Sequence, residues 1–351
     1  MTELLDTNSA KIAAEFVRAR TRAGSPAMGM VMTLVIVVDE DNAAAAMDAA
    51  KIAAHEHPAR LLGVILGDAR GAAQVNAQVG IGEFWTGEIA VIRLKGEVVR
   101  HSESVVLPLL LPDSPVVVWW PTDAPDDPAS DPLGRLAQRR ITDAAAATRG
   151  RKRALATQCA SYARGNTDLA WTRITPWRAM LAAALDQQPL KIRRATVVAE
   201  RISPSADLLA AWLSDRLHVP VDQRNSAGPG ITEVSLDTRH GPISIEREDG
   251  KLATFSSPGR PDRPVALKRR DLPELLAEEL RRLDEDDIYA ETARKLLELD
   301  EDGSLSTAPK KAAGKKASAK KGAKKAASTS GSSGGSSGGS SGGSSAAESG
   351  S

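Results

Sequence analysis

Met30-Val31-Met32-Thr33-Leu34-Val35-Ile36-Val37-Val38-Asp39-Glu40-Asp41-Asn42 decides the fold. A nearly continuous apolar run of this kind marks a strand covered on both faces. The carboxylates and amide after Val38 are strong helix starters, so an alanine-rich helix is expected to about His55, closed by Pro58. Working outward, Leu61–Leu66, Ile89–Leu94 and Val116–Trp120 read as further buried strands, and Val98 to Leu111 supplies a helical crossover. Apolar strands separated by helix-length connections imply a parallel sheet with helices on both faces. The fold class is therefore α/β. A Rossmann-like, mostly parallel N-terminal domain spans 28–165, preceded over 1–27 by a short helix (Ile12, Phe16 and Val17 on one side) and its lead-in.

The second half reads differently. Pro176 suits the first turn of a helix running to about Gln187, with Trp177, Met180, Leu181, Ala184 and Leu185 at helical spacing. A strand follows at Ala195–Ala199, and Ser203-Pro204 opens a helix with Leu208, Leu209, Trp212, Leu213 and Leu217 as its apolar stripe. Short segments at Ile231–Asp237, Ile243–Arg247, Leu252–Phe255 and Val265–Lys268, divided by Gly and Pro turns, read as antiparallel strands. Helices at about 272–283 and 286–299 complete a C-terminal α+β domain over 166–300. Over 301–351, Lys-Lys pairs among Ala, Ser and Gly and then a Gly/Ser run cannot bury apolar area, so a disordered tail is expected.

Net charge of +1 conceals opposed regions in the 351 residues. Met1–Ser306 carries 38 basic and 44 acidic residues, a balance of −6, while eight lysines and one glutamate make the remainder +7. An acidic body argues against a nucleic-acid-binding core, which leaves only weak, salt-sensitive nucleic-acid contact through the Lys-rich tail. Charged residues interrupt Met1 to Arg20, unlike a secretory signal, and no run of about 20 apolar residues suggests a membrane span. The expectation is a cytoplasmic protein.

Little in the chain promises chemistry. Walker and G-x-G-x-x-G loops are missing; Gly80-Ile81-Gly82, with Gly87 next, misses the spacing and reads as loop. Asp39, Glu40 and Asp41 stand where a dinucleotide fold needs glycines against a pyrophosphate, and three carboxylates would repel one. His55 and His57 point about 200° apart on a helix and cannot share a metal there; a histidine pair on the helix dipole is the simpler reading. Cys159 stands alone, which excludes an intramolecular disulfide, and reads as a buried thiol despite Arg153 and Arg164 nearby in sequence. No cofactor, metal or catalytic residue is expected.

Aromatics make up only 3% of the chain, and six of them are Trp. Consecutive strand residues face opposite ways, so Trp119 and Trp120 enter different layers. With Arg139 and Arg140, and with Asp143 orienting the arginines or capping a helix, they form a candidate partner-binding rim. Trp171, Arg173 and Trp177 form a second candidate group in the connector, although core packing explains those tryptophans as well.

Val118-Trp119-Trp120-Pro121, Asp131-Pro132-Leu133-Gly134, Arg139-Arg140-Ile141-Thr142-Asp143 and Asp168-Leu169-Ala170-Trp171-Thr172-Arg173-Ile174 together resemble the glucose-6-phosphate dehydrogenase assembly protein (OpcA) family, in its actinobacterial branch. His55-Glu56-His57-Pro58, Gly259-Arg260-Pro261-Asp262 and Leu276–Asp284 extend the likeness across about 9–299. The resemblance implies a non-catalytic partner that binds glucose-6-phosphate dehydrogenase, promotes its active oligomer and supports NADPH production in the oxidative pentose phosphate route. Cysteine-based redox control, associated with cyanobacterial members, lacks a second cysteine here. The competing reading is a sugar-phosphate-binding regulator or enzyme whose Arg139 and Arg140 hold a phosphate at the carboxyl edge of the first sheet.

Overall fold

The helix start after Val38 is confirmed in detail. In the computed structural model, which describes residues 1–24, 29–81, 87–187 and 190–303, strand β2 (Met32–Val38) is buried along its whole length. Asp39 then caps helix α2 (Glu40–Ala53) by accepting from the Asn42 N–H at 2.9 Å. Around β2 lie β3 (Ala59–Leu66), β5 (Glu88–Lys95), β6 (Val116–Trp119), β7 (Arg139–Thr142) and β8 (Asn166–Asp168), all parallel. Their order, β5-β3-β2-β6-β7-β8, is the 3-2-1-4-5-6 arrangement of the dinucleotide-binding folds. β4 (Gln74–Ile81) and β1 (Thr2–Leu4) add antiparallel strands at the β5 edge, giving eight in all.

Four of those strands, the three-residue β1 among them, lack a continuous apolar run and were not legible. β7 contains two arginines, β8 reads Asn-Thr-Asp, and β4 alternates polar residues with Val75, Ala77 and Val79. Gly80 and Ile81, expected in a loop, end β4, where Gly80 faces Ile89 of β5. One face of the sheet packs on α2 and on α8 (Leu272–Arg281), through Leu34, Ile36, Leu61, Trp119, Ile141 and Leu276. Gly63 lets α2 approach, since a Cβ there would meet the Met47 sulfur at 2.5 Å. The opposite face packs on Ile12 and Phe16 of α1 (Ser9–Ala23) and on Val105, Val106 and Leu109 of the crossover.

A second, six-stranded sheet has the order β10-β9-β11-β12-β13-β14. Parallel β9 (Arg194–Glu200) and β10 (Val221–Ser226) flank α7 (Pro204–Leu217). β11 (Ile231–Thr238), β12 (Gly241–Glu246), β13 (Leu252–Ser256) and β14 (Arg263–Ala266) continue antiparallel, as their alternation implied. A core on α7 and α9 (Asp287–Glu301) joins this sheet to α4 (Arg151–Ala160), α5 (Leu169–Thr172) and α6 (Thr175–Gln187). The two halves interlock. β8 and α8 both lie beyond residue 165 yet build the first sheet and its cover, and all described residues belong to one compact unit. Residues from Ser304 on, with the expectations of disorder and nucleic-acid contact, lie outside the described residues. No helix among the described residues is long and apolar enough to cross a membrane.

Candidate functional site

In an open parallel sheet of this order, ligands and partners dock at the carboxyl ends of the strands, where the order reverses between β2 and β6. On the β2 side the α2 N-terminus is already occupied by its own Asp39 cap, and Glu40 pairs with Arg93 at 3.0 Å. On the β6 side the two tryptophans split as strand geometry requires: Trp119 joins the core on the α2–α8 face, Trp120 the core on the α1 face. Both are buried, at 0% and 3% exposure, so neither is a rim residue. The Trp120 ring is roofed by the Asp131–Gly134 turn, where Asp131 accepts from the Leu133 and Gly134 N–H groups at 2.9 and 3.1 Å. Gly134 is required there, because a Cβ would lie 1.8 Å from the Pro128 carbonyl and 3.2 Å from the Trp120 ring.

Arg139 and Arg140 point to opposite sides of β7 and are both buried. Arg139 reaches α8, donating to Glu279 at 2.7 Å and to the Asp284 carbonyl at 2.9 Å; Glu279 also accepts from the Thr172 hydroxyl at 2.6 Å. Arg140 has no carboxylate partner among the described residues. Its fork donates to Asn166 Oδ1 at 2.6 Å and to the carbonyls of Ala137, Gly134 and Arg164, stapling the 134–137 turn and the segment leading into β8 to the strand. A guanidinium spent in this way cannot hold a phosphate. A sugar phosphate on these two arginines would have to replace these bonds.

Immediately after β7, Asp143 forms a two-pronged pair with Arg173, both bonds at 2.7 Å, instead of orienting Arg139 or Arg140. Burial works against the Arg173 cation, but the Asp143 carboxylate holds its pKa above the ordinary value. Beside the pair lies Asp168, at 0% exposure. Burial first, and then the Asp143 charge, push its carboxyl up to about 6, against hydrogen bonds from the Thr142 hydroxyl and the Ala170 and Ala144 N–H groups at 2.7, 2.8 and 2.9 Å. The sequence placed Asp168 in a recognised motif, but its role appears only once β7 and β8 are seen as neighbours. Cys159 packs in the same core, where burial raises its thiol pKa, the opposite of what the sequence-adjacent arginines would do.

The connector residues are also internal. Trp171 donates through Nε1 to Asp286 at 2.7 Å, packs 5.6 Å from the Tyr289 ring, and lies under the Arg178 guanidinium at 3.5 Å. Trp177 is 1% exposed, with the Arg247 guanidinium 5.0 Å from its ring. Of the eight candidate residues only Arg173 keeps appreciable exposure, at 23% of its side chain. The other seven are buried and brace the edge from within. His57, expected on a helix dipole, donates from Nε2 to the Ala277 carbonyl at 3.0 Å and ties the end of α2 to α8.

Two cavities flank the Asp143–Arg173 pair. One, of about 310 Å³, opens between Asp123, Asp143, Arg149 and Arg153. The other, of about 260 Å³, lies between this edge and the second sheet. Strand order, braced edge and second sheet define a two-sheet α/β protein of dinucleotide-fold topology whose switch-point helix is capped by its own carboxylate.

Family models match it twice: the glucose-6-phosphate dehydrogenase subunit N-terminal domain over residues 50–159 and the C-terminal domain over 164–293. The chain belongs to the glucose-6-phosphate dehydrogenase assembly protein family. A search among curated proteins finds no match. Similar solved structures include a 3-ketoreductase from Actinomadura kijaniata in complex with NADP and TDP-benzene, 10% identical, with a TM-score of 0.42 over 77% of this chain and 96% of that one. An inositol dehydrogenase homolog from Azotobacter vinelandii, complexed with NADH and myo-inositol, is 10% identical, with a TM-score of 0.37 over 79% of this chain and 89% of that one. Similarity this distant says nothing about shared chemistry.

Proposed function

We propose that the chain is a non-catalytic assembly factor that binds glucose-6-phosphate dehydrogenase, favours its active oligomer and so supports cytoplasmic NADPH production. The paired family matches over 50–293 carry this reading. The state of the carboxyl edge supports it. Arg139, Arg140, Asp143 and Asp168 are engaged with their own neighbours, and the α2 N-terminus that would receive a pyrophosphate is capped by Asp39. The buried edge residues act indirectly by fixing the loops above them, and exposed Asp123 pins one of those loops by accepting from the Thr148 N–H at 2.8 Å.

Activation then follows from linkage. A partner that binds the active oligomer better than the inactive one shifts that equilibrium by its differential affinity. A preference of about 2.7 kcal/mol gives roughly a hundredfold shift. Co-elution on a sizing column, with dehydrogenase activity assayed across the peaks, tests the reading. The two proteins should run together in the most active fractions; separate elution at micromolar concentration contradicts it.

A further inference from the structure

The cavity between the two sheets has a charge surplus that the fold does not neutralise. Six cations line it: Arg151, Arg173, Arg247, Lys268, Arg269 and Arg270. Three are paired, Arg173 with Asp143, Lys268 with Glu274 and Arg270 with Glu278. Arg151, Arg247 and Arg269 have no carboxylate partner among the described residues, against one lining carboxylate, Glu200.

Arg247 is the most buried of the three. At 5% exposure it donates to the carbonyls of Leu267 and Ile231, both at 2.9 Å, and faces the Trp177 ring. Burial and the neighbouring Arg269 charge both work against its ionised form. Like Arg140, it is spent on carbonyls, so the charges left open in the cavity are Arg151 and Arg269.

A second, independent observation comes from the helices that end there. α4 begins Arg151-Lys152-Arg153, three cations in the first turn, behind a Gly150 cap with φ of 111° and no capping side chain. Cations at that end oppose the helix dipole, which favours anions. Lys152 is offset by Asp207 at 3.7 Å, but Arg151 faces the cavity uncompensated. The N-terminus of the fourteen-residue α7 opens onto the same cavity. Its Ser205 hydroxyl has no partner among the described residues; Pro204 carries no N–H and Ser203 accepts from Ala206 and Asp207, which leaves the Ser205 N–H as the open donor of the first turn. Helix N-termini with converging arginines suit a tetrahedral oxyanion.

We propose that this cavity binds a small phosphate ester, its phosphoryl group held by Arg151, Arg269 and the Ser205 hydroxyl and N–H, and its hydroxyl groups donating to Glu200. The volume of about 260 Å³ sits just below the roughly 300–1,000 Å³ usual for small-molecule sites, which favours a compact metabolite over a dinucleotide. This site is separate from the α2 N-terminus and from Arg139 and Arg140, and it does not depend on any protein partner.

Calorimetry on the full chain without dehydrogenase, at fixed ionic strength, tests the proposal with inorganic phosphate, a hexose 6-phosphate, the unphosphorylated hexose and citrate. The phosphate ester should bind saturably and more tightly than inorganic phosphate, and the free hexose should not bind. Arg151→Ala and Arg269→Ala change exposed, unpaired side chains, so both variants should fold; each should weaken binding roughly tenfold, and Ser205→Ala less. Absence of saturable phosphate-ester binding would overturn the proposal. So would citrate binding more tightly than the ester, or wild-type affinity in an Arg151→Ala, Arg269→Ala double variant, which would place binding on the Lys-rich tail.

Discussion

The carboxyl edge of the first sheet and the cavity beside it use the same residue types to opposite ends. At the edge every charge is spent: Arg139 on Glu279, Arg140 on three carbonyls and Asn166, Asp143 on Arg173. In the cavity, some 260 Å³ in volume, the Arg151 and Arg269 side chains have no partner among the described residues. A saturated network is architecture, because its groups have nothing left to offer a visitor. A surplus is an invitation. Counting arginines in sequence cannot distinguish the two; only partner accounting does.

The largest expected effect comes from breaking a saturated pair. Arg139→Ala leaves Glu279 buried without its cation and should cost about 3–5 kcal/mol in denaturant unfolding. Replacing both partners by apolar residues of similar size, Arg139→Met with Glu279→Leu, should recover most of that loss. If the single variant were neutral, the claim that this edge is braced by its buried charges would fail.

Next in size is a pH effect at Asp168, whose folded pKa is raised from the usual 3.8 to about 6. A raised carboxyl favours the protonated folded form. Its contribution is therefore fully present below about pH 4 and is lost as pH rises through about 6, a change of about 3 kcal/mol. Wild type should gain that much on Asp168→Asn as pH falls from 7 to 4. A stability difference that stays flat over this range would contradict the burial argument.

The smallest effect sharpens the contrast from the other side. Arg269→Ala should change unfolding stability by no more than about 0.5 kcal/mol, because its exposed side chain has no partner among the described residues. A large loss would move Arg269 from the surplus to the architecture.

Legibility in the sequence followed the same division. Strands with an apolar signature, such as β2, β3 and β6, could be placed because burial on both faces leaves a continuous run. β7 and β8 could not, because their burial depends on partners more than a hundred residues away or on an adjacent strand: Arg139 needs Glu279, and Thr142 needs Asp168. The tryptophans were located, and Trp119 and Trp120 were rightly assigned to opposite layers, but their exposure was overestimated. Trp120 is hidden by a turn whose closeness rests on a single glycine, Gly134. The inter-sheet cavity left no local trace, since Arg151, Glu200, Arg247 and Arg269 converge only after both sheets form.

The central claim is that this molecule acts on another enzyme by holding it. Titrating the full chain into purified glucose-6-phosphate dehydrogenase, with light-scattering mass and specific activity read on the same samples, tests that claim most directly. Mass and activity should rise together and saturate at one fixed ratio. An unchanged mass with unchanged activity would contradict the account, as would oxidation of glucose 6-phosphate by this chain alone.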